Sequence, residues 1–411
     1  MNSGKHAAYS VICALRHAAW LHRERVVGYA TTFLLVELLF VALLTLGTHG
    51  MIGSVKHPTS TDYVSFYAAG RQANAGASAQ VYDPAAHHAA EQAARETGIP
   101  YVHFFYPPVF LLICAPFARL PYLMSFIAFQ ALSLIAALTV LRKVLTVSMW
   151  TTIAFGLAFP ATLWNIGVGQ NALLTVALFG TATLLLDKRP ILSGLAIGML
   201  CYKPQLGLFF PVALLAQGNW RAILSAAGSS ATLVLISFAL FGRDTWISFF
   251  DIARQAHGTY EAGAVHVPSL TSPFGVLITF HAPLWLAYGV QATTTLLLAC
   301  AICRVWSRPC RLPIRAALIA AATPVATPMT MFYDLTLSGL AIAWLVRDGC
   351  DQGFRPWQKF ALFCAFPLPL LSGNLGSSHG VVAAVASLAV LGLVLVAAGR
   401  TDRSLMAYRS A

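Results

Sequence analysis

Asp62, in the stretch TDYVSFYAAG, is one of only 14 acidic residues in a chain of 411. A carboxylate at a membrane–water boundary is a candidate general base, able to take a proton from a hydroxyl acceptor. Tyr63, Phe66 and Tyr67 follow it and would wall such a site. At helical spacing, positions 62, 66, 69 and 70 share one face, and 63 and 67 the next. The same carboxylate also fits a plain structural role as the N-cap or first-turn residue of a short helix. Lys203, in CYKPQLG, is the second candidate. A lysine at a proline break inside apolar sequence is costly to keep and points to a cavity, although a lysine snorkelling to the outer headgroups has the same signature. Its ammonium suits a phosphate.

Weaker signals lie elsewhere. WNIGVGQNALL places Asn165, Gln170 and Asn171 at the external end of an apolar run, where a turn and helix start would need the same residues. Its GVGQ follows no strand and so is no nucleotide-binding loop. FFYPPVF carries Tyr106, and ATPMTMFYDLTL carries Tyr333 and Asp334, the latter either a first-turn carboxylate or a second site residue. A loop over 242–271 offers Arg243, His257 and His266, with Arg243 a candidate phosphate contact. Adjacent His87 and His88 lack the i, i+4 spacing of a helical metal site. Cys300 and Cys303 form a C-x-x-C within apolar sequence and read as small hydrophobes; a zinc site needs further ligands at suitable spacing. Glu37 sits midway along the first apolar run. No metal and no cofactor are expected.

The elements that must position these residues follow from composition. The chain is 58% hydrophobic and 10% charged, against roughly 25% charged residues in a soluble domain. Its apolar residues fall in blocks near the length of a bilayer-spanning helix. These features predict an all-α polytopic membrane protein with about 10–13 membrane helices, several shorter than full length. The expected order is a single integral membrane domain over 1–411. A first span lies at 27–47, and an external loop with two short surface helices at 48–105. Membrane helices occupy 106–241, a second external loop 242–271, more membrane helices 272–397, and a cytoplasmic tail 398–411. In the first loop, Asp83 caps the second short helix, Pro84 begins it, and Gly98 with Pro100 ends it.

Net charge is +12, and the N-terminus and the turns assigned to the cytoplasm hold 19 of the 26 Lys and Arg. That asymmetry is what the positive-inside rule demands. The basic balance therefore answers to topology and anionic lipid, with no nucleic acid required. Both termini are expected in the cytoplasm and the chemistry on the external face. One segment between 106 and 143 must be re-entrant, or Arg142 and Lys143 face outward. No internal repeat is visible, which disfavours an inverted-repeat transporter.

The motifs TDYVSFYAAG, VYDP, FFYPPVFLLICAPFARLP, GQNALL, GLAIGMLCYKPQLGLFFP and ATPMTMFYDL occur in that order. Together they resemble glycosyltransferase family 87, which includes polyprenol-phosphate-mannose-dependent mannosyltransferases, within the GT-C superfamily. The resemblance implies a GT-C-type fold and a polyprenyl-phosphate sugar donor, mannose by default. It implies a lipid or glycan acceptor, inversion at the anomeric carbon, and no divalent metal. Asp62 matches the family's early external carboxylate. Lys203 matches a lysine that meets the donor phosphate, with Arg243 a second cation. Tyr63, Tyr67, Tyr106, Gln170, Asn171, His266, Tyr333 and Asp334 would line the substrate pocket. A bacterial inner membrane is the implied location. A transporter or lipid flippase is the alternative, sharing the external carboxylate and the lysine at depth but making no product.

Overall fold

The computed structural model describes residues 11–47, 62–95, 98–261, 270–372 and 379–409. The first α-helices are α1 (Arg23–Gly47), α2 (Tyr63–Asn74), α3 (Pro84–Ala94), α4 (Leu111–Phe117) and α5 (Tyr122–Leu145). There follow α6 (Met149–Ala158), α7 (Pro160–Val168), α8 (Ala172–Leu185), α9 (Pro190–Met199), α10 (Phe209–Gln217) and α11 (Trp220–Glu261). The last are α12 (Pro273–Thr279), α13 (Leu284–Trp306), α14 (Leu312–Ala326), α15 (Thr336–Gln352), α16 (Gln358–Ala365) and α17 (His379–Arg409). No strand occurs among the described residues.

Tyr122–Leu145, Trp220–Gln255 and Leu284–Trp306 are each long and apolar enough to cross a bilayer. Met149–Ala158 and Pro160–Val168 form an apolar pair bent by 71°, at a proline that cannot donate to the helix before it. Shorter apolar helices make up much of the rest. The chain is an all-α polytopic membrane protein, as its composition predicts. Pro108–Phe117 rises only about 15 Å, half of a hydrocarbon core of roughly 30 Å. Only α5 in this stretch can cross, and Arg142 and Lys143 fall in its last turn.

The chain forms two compact units, one built from 39–137 and 164–267, the other from 1–38, 138–163 and 268–411. In the first, α9 packs along α11. Between apolar helices in lipid, close packing and hydrogen bonds supply cohesion in place of burial from water. The sequence GLAIG provides for both. A Cβ on Gly194 or Gly198 would collide with the α11 backbone at Ala222 or Ala226. Ser225 Oγ donates to Ile191 O (2.7 Å), Ser229 Oγ to Leu195 O (3.1 Å) and Ser230 Oγ to Gly198 O (3.1 Å). Replacing Gly198 by Val is expected to destabilise this pair by about 1–3 kcal/mol through overpacking, read as a lower thermal midpoint in detergent.

The loop helices are held differently. α2 packs on α3 and α4, and every residue from Tyr63 to Gly70 is buried. It is thus a core helix of its unit. Phe66 makes edge contacts with Phe104, Tyr106, Phe110 and Phe129 at 5.0–6.5 Å. Each such pair adds about 0.5–1.5 kcal/mol beyond area burial, so α2 is fixed by aromatic packing on all sides.

Three boundaries differ from expectation. The segment after 241 is helical as far as Glu261, continuing α11 through a bend at Gly242 (φ 81°, ψ 171°), a conformation open to glycine alone at low cost. Trp246, Phe249 and Ile252 there pack on the aromatic core, which is why this polar-looking stretch is not a loop. α3 ends at Ala94, ahead of Gly98. α17 runs on to Arg409 through the expected tail.

In the second unit, α14 is buried from Ile314 to Ala326 and packs on α15, α13 and α17. Gln291 Nε2 donates to Val325 O and Ala326 O at the frayed end of α14 (3.1 and 2.9 Å), beside Pro324. Arg311 pairs with Asp348 at 3.1 Å and Arg347 with Asp351 at 2.6 Å. Part of the basic charge assigned to the cytoplasm is therefore neutralised internally. Glu37 is buried, and its Oε2 has no hydrogen-bond partner among the described residues.

Candidate active site

Asp62 stands at the N-cap position of α2 but does not cap it: it has αR backbone angles and makes no side-chain bond to its own helix. Asp83 supplies the contrast. Its Oδ1 accepts from Ala85 N at 2.9 Å and Ala86 N at 3.3 Å, with Pro84 as first residue of α3. Of these two aspartates, Asp83 caps its helix and Asp62 does not. Thr61, the alternative cap for α2, lies outside the described residues.

The Asp62 carboxylate instead meets a residue 108 positions away. Gln170 Nε2 donates to Asp62 Oδ2 at 2.6 Å, and Tyr106 Oη donates to Gln170 Oε1 at 3.1 Å. Gln170 owes its place to the turn between α7 and α8. Gly169 at φ 75° reverses the chain, so that Gln170 N can donate back to Asn165 O at 3.0 Å. Asn165 Oδ1 accepts from Ala172 N (2.8 Å) and its Nδ2 donates to Gln130 Oε1 (3.2 Å). Gln130 Nε2 in turn donates to Gln170 O at 3.0 Å. Tyr106 is placed by the two prolines after it. Pro107 and Pro108 start a 3₁₀ turn over Pro108–Phe110, and the Tyr106 ring lies against Phe66 and Phe110 at 5.3 and 4.6 Å.

Lys203 sits at the break between 3₁₀ turns Leu200–Tyr202 and Pro204–Gly207 and is only 6% exposed. Tyr202 anchors that break: its hydroxyl is 2.6 Å from Thr175 Oγ1 and its ring stacks on Phe110 at 5.3 Å. The Lys203 charge acts on Asp62. Burial pushes the Asp62 carboxyl above its ordinary range, while the Gln170 amide and the Lys203 ammonium pull it back. Asp62 keeps some exposed surface, but protein atoms close around it, and that crowding outweighs the two attractions.

The remaining candidates divide. Tyr63 and Tyr67 face the protein interior: the Tyr63 hydroxyl is 2.6 Å from Ser125 Oγ, and Tyr67 Oη donates to Leu120 O at 3.0 Å. Asn171 is the N-cap of α8, fully buried, with both side-chain polar atoms lacking partners among the described residues. Arg243 is exposed just past the Gly242 bend. Asp334 and Tyr333 belong to the other unit, where Asp334 Oδ2 accepts from Met331 N at 3.3 Å in a first-turn role. His266 lies outside the described residues. Cys300 and Cys303 are free and exposed on α13.

Two groups near Asp62 escape a local reading of the sequence. His87 and Glu91, both fully buried, lie 3.6 Å apart. His87 bonds Ser65 Oγ (3.0 Å) and Gln72 Oε1 (2.8 Å), and Glu91 Oε2 accepts from Val102 N (3.2 Å). Burial lowers His87 to about 3 and raises Glu91 to about 8, with the Asp62 charge adding to the latter. Burial thus works against the charged form of both groups, despite their ion-pair distance. The i, i+4 spacing of His87 and Glu91 was the available signal, masked by the adjacent His88.

A model of glycosyltransferase family 87 matches residues 104–332. No curated protein and no solved structure matches the chain. The matched stretch takes in Tyr106, Gln170 and Lys203 and covers more than half of the sequence; Asp62 lies upstream of it. On that match the chain belongs to glycosyltransferase family 87, and its chemistry is glycosyl transfer at a membrane.

Proposed function

We propose that the protein transfers a sugar, mannose by default, from a polyprenyl-phosphate donor to a lipid or glycan acceptor on the external face of a bacterial inner membrane. The observation that carries this reading is the Asp62 carboxylate, withheld from its own helix cap and held by Gln170 within the field of Lys203. Asp62 takes the proton of the acceptor hydroxyl as that oxygen bonds to the anomeric carbon. The bond from that carbon to the phosphate oxygen breaks on the opposite face, so a β-linked donor gives an α-linked product. The electron pair leaves with the lipid phosphate, and Lys203, with the exposed Arg243, stabilises the growing charge. The phosphate is a good leaving group and needs no separate acid. Tyr106, Gln170 and Asn171 border the reacting groups in this scheme, and Tyr63 and Tyr67 support α2 from behind. Tyr333, Asp334 and His266 stay substrate-pocket candidates on the family resemblance alone.

The test is transfer of label from a panel of radiolabelled polyprenyl-phosphate sugars to a membrane and glycan extract, with purified protein in lipid. Label reaching a new product, and none in Asp62→Asn, is the expected result. Tight donor binding without transfer from any donor favours a transporter or flippase.

A further inference from the structure

Asp62 Oδ2 is taken by the Gln170 amide, and among the described residues Oδ1 accepts no hydrogen bond. A primary amide presents a donor at one end and an acceptor at the other, and reversing it would set its oxygen against an ionised carboxylate. The carboxylate therefore sets the sense of the amide, and Tyr106 supports it by donating to the amide oxygen. Tyr106 is itself fixed at its backbone, where Tyr82 Oη donates to Tyr106 O at 2.9 Å. The Gln170 main chain is held by Gln130 and Asn165. Every link of this chain is buried or half-buried.

We propose that Gln170 is a positioning residue for the base: its amide, braced by Tyr106, locks Asp62 so that Oδ1 alone is presented to the acceptor hydroxyl. This rests on the reading of Asp62 as the base, and it assigns Gln170 and Tyr106 to Asp62 in place of substrate. A hydrogen bond to the charged form favours that form. Removing the amide therefore makes Asp62 harder to ionise. Removing only the Tyr106 hydroxyl loosens the amide and gives a smaller shift of the same sign.

The experiment is an infrared pH titration of the full chain in lipid nanodiscs, following the protonated-carboxyl band that disappears in Asp62→Asn. It needs no substrate. The band's midpoint is expected to rise in Gln170→Leu and to rise less in Tyr106→Phe. The double variant is expected to match Gln170→Leu alone, because the Tyr106 hydroxyl is linked to Asp62 through the amide. Transfer from polyprenyl-phosphomannose is measured beside it; a fall in kcat with KM within about threefold marks positioning. An unmoved midpoint in both single variants, or additive shifts in the double, overturns the proposal. Should Gln170→Leu fail to fold, the single-hydroxyl change Tyr106→Phe decides alone. Wild-type transfer by Asp62→Asn would instead sink the reading of Asp62 as the base, whatever the midpoints do.

Discussion

Asp62→Asn is expected to abolish turnover while leaving the fold intact. A positioned general base contributes about 10²–10⁴ in rate, and an amide cannot take its place. The asparagine oxygen can still accept from Gln170 Nε2, so the 2.6 Å contact that holds the turn to α2 survives. The thermal midpoint should therefore stay within about 2 °C of wild type. If Asp62 served instead as a helix cap, its loss would cost stability and spare the chemistry. That pattern belongs to Asp83, which accepts two backbone N–H groups. Asp83→Ala is expected to lower stability by about 1 kcal/mol, with kcat little changed. The two variants thus form a matched pair, separable by a melting curve and a transfer assay. The acid limb of kcat/KM gives a third reading. Only ionised Asp62 is a base, and burial raises its carboxyl above the usual range. Activity should consequently fall, on lowering the pH, earlier than an exposed aspartate would allow.

What the sequence made legible follows from how local each feature is. Asp83–Pro84 is a short-range capping signal and is found where expected. The Lys203–Pro204 break is also local, since proline cannot continue the preceding helix, and the structure divides there. The Asp62–Gln170 bond is not local. It spans 108 residues, and no propensity or period encodes which of the candidate polar residues meets the carboxylate. Gln130 carried an unused signal: a buried amide inside an apolar span needs a partner, and its partners are Asn165 and Gln170. Charge misled the reading after 241, where RDTWISFFDIARQ looked like a loop. Trp246, Phe249 and Ile252 lie at helical spacing, and the aromatic core they meet is built by residues far away in the chain. The same limit applies to Tyr63 and Tyr67. Their type and place suggested pocket walls, but Ser125 and Leu120 claim their hydroxyls.

Lys203→Met is expected to have two separable consequences. The first concerns the leaving group. A buried cation facing a phosphate whose charge grows in the transition state acts like a preorganised oxyanion donor, and losing one such donor costs about 10²–10³ in kcat. The second concerns the base. Lys203 pulls the Asp62 carboxyl down against the effect of burial. Removing the ammonium leaves burial less opposed, so Asp62 becomes harder to ionise and the acid limb moves to higher pH. A lysine that merely reached toward headgroups would yield neither effect. Lys203→Arg separates the two. It keeps the charge, so the limb should stay near its wild-type position. It changes the shape of the donor, a fork in place of a point charge, so kcat should fall by an intermediate amount. The measurement is a set of three pH–rate profiles, for wild type, Met and Arg, in one lipid mixture. A drop in kcat for Met without movement of the limb would make Lys203 a phosphate contact alone. Movement of the limb without a drop at its alkaline plateau would make it a partner of Asp62 alone. Both together, with Arg restoring the limb and only part of the rate, is the outcome that a site serving base and leaving group with one cation requires.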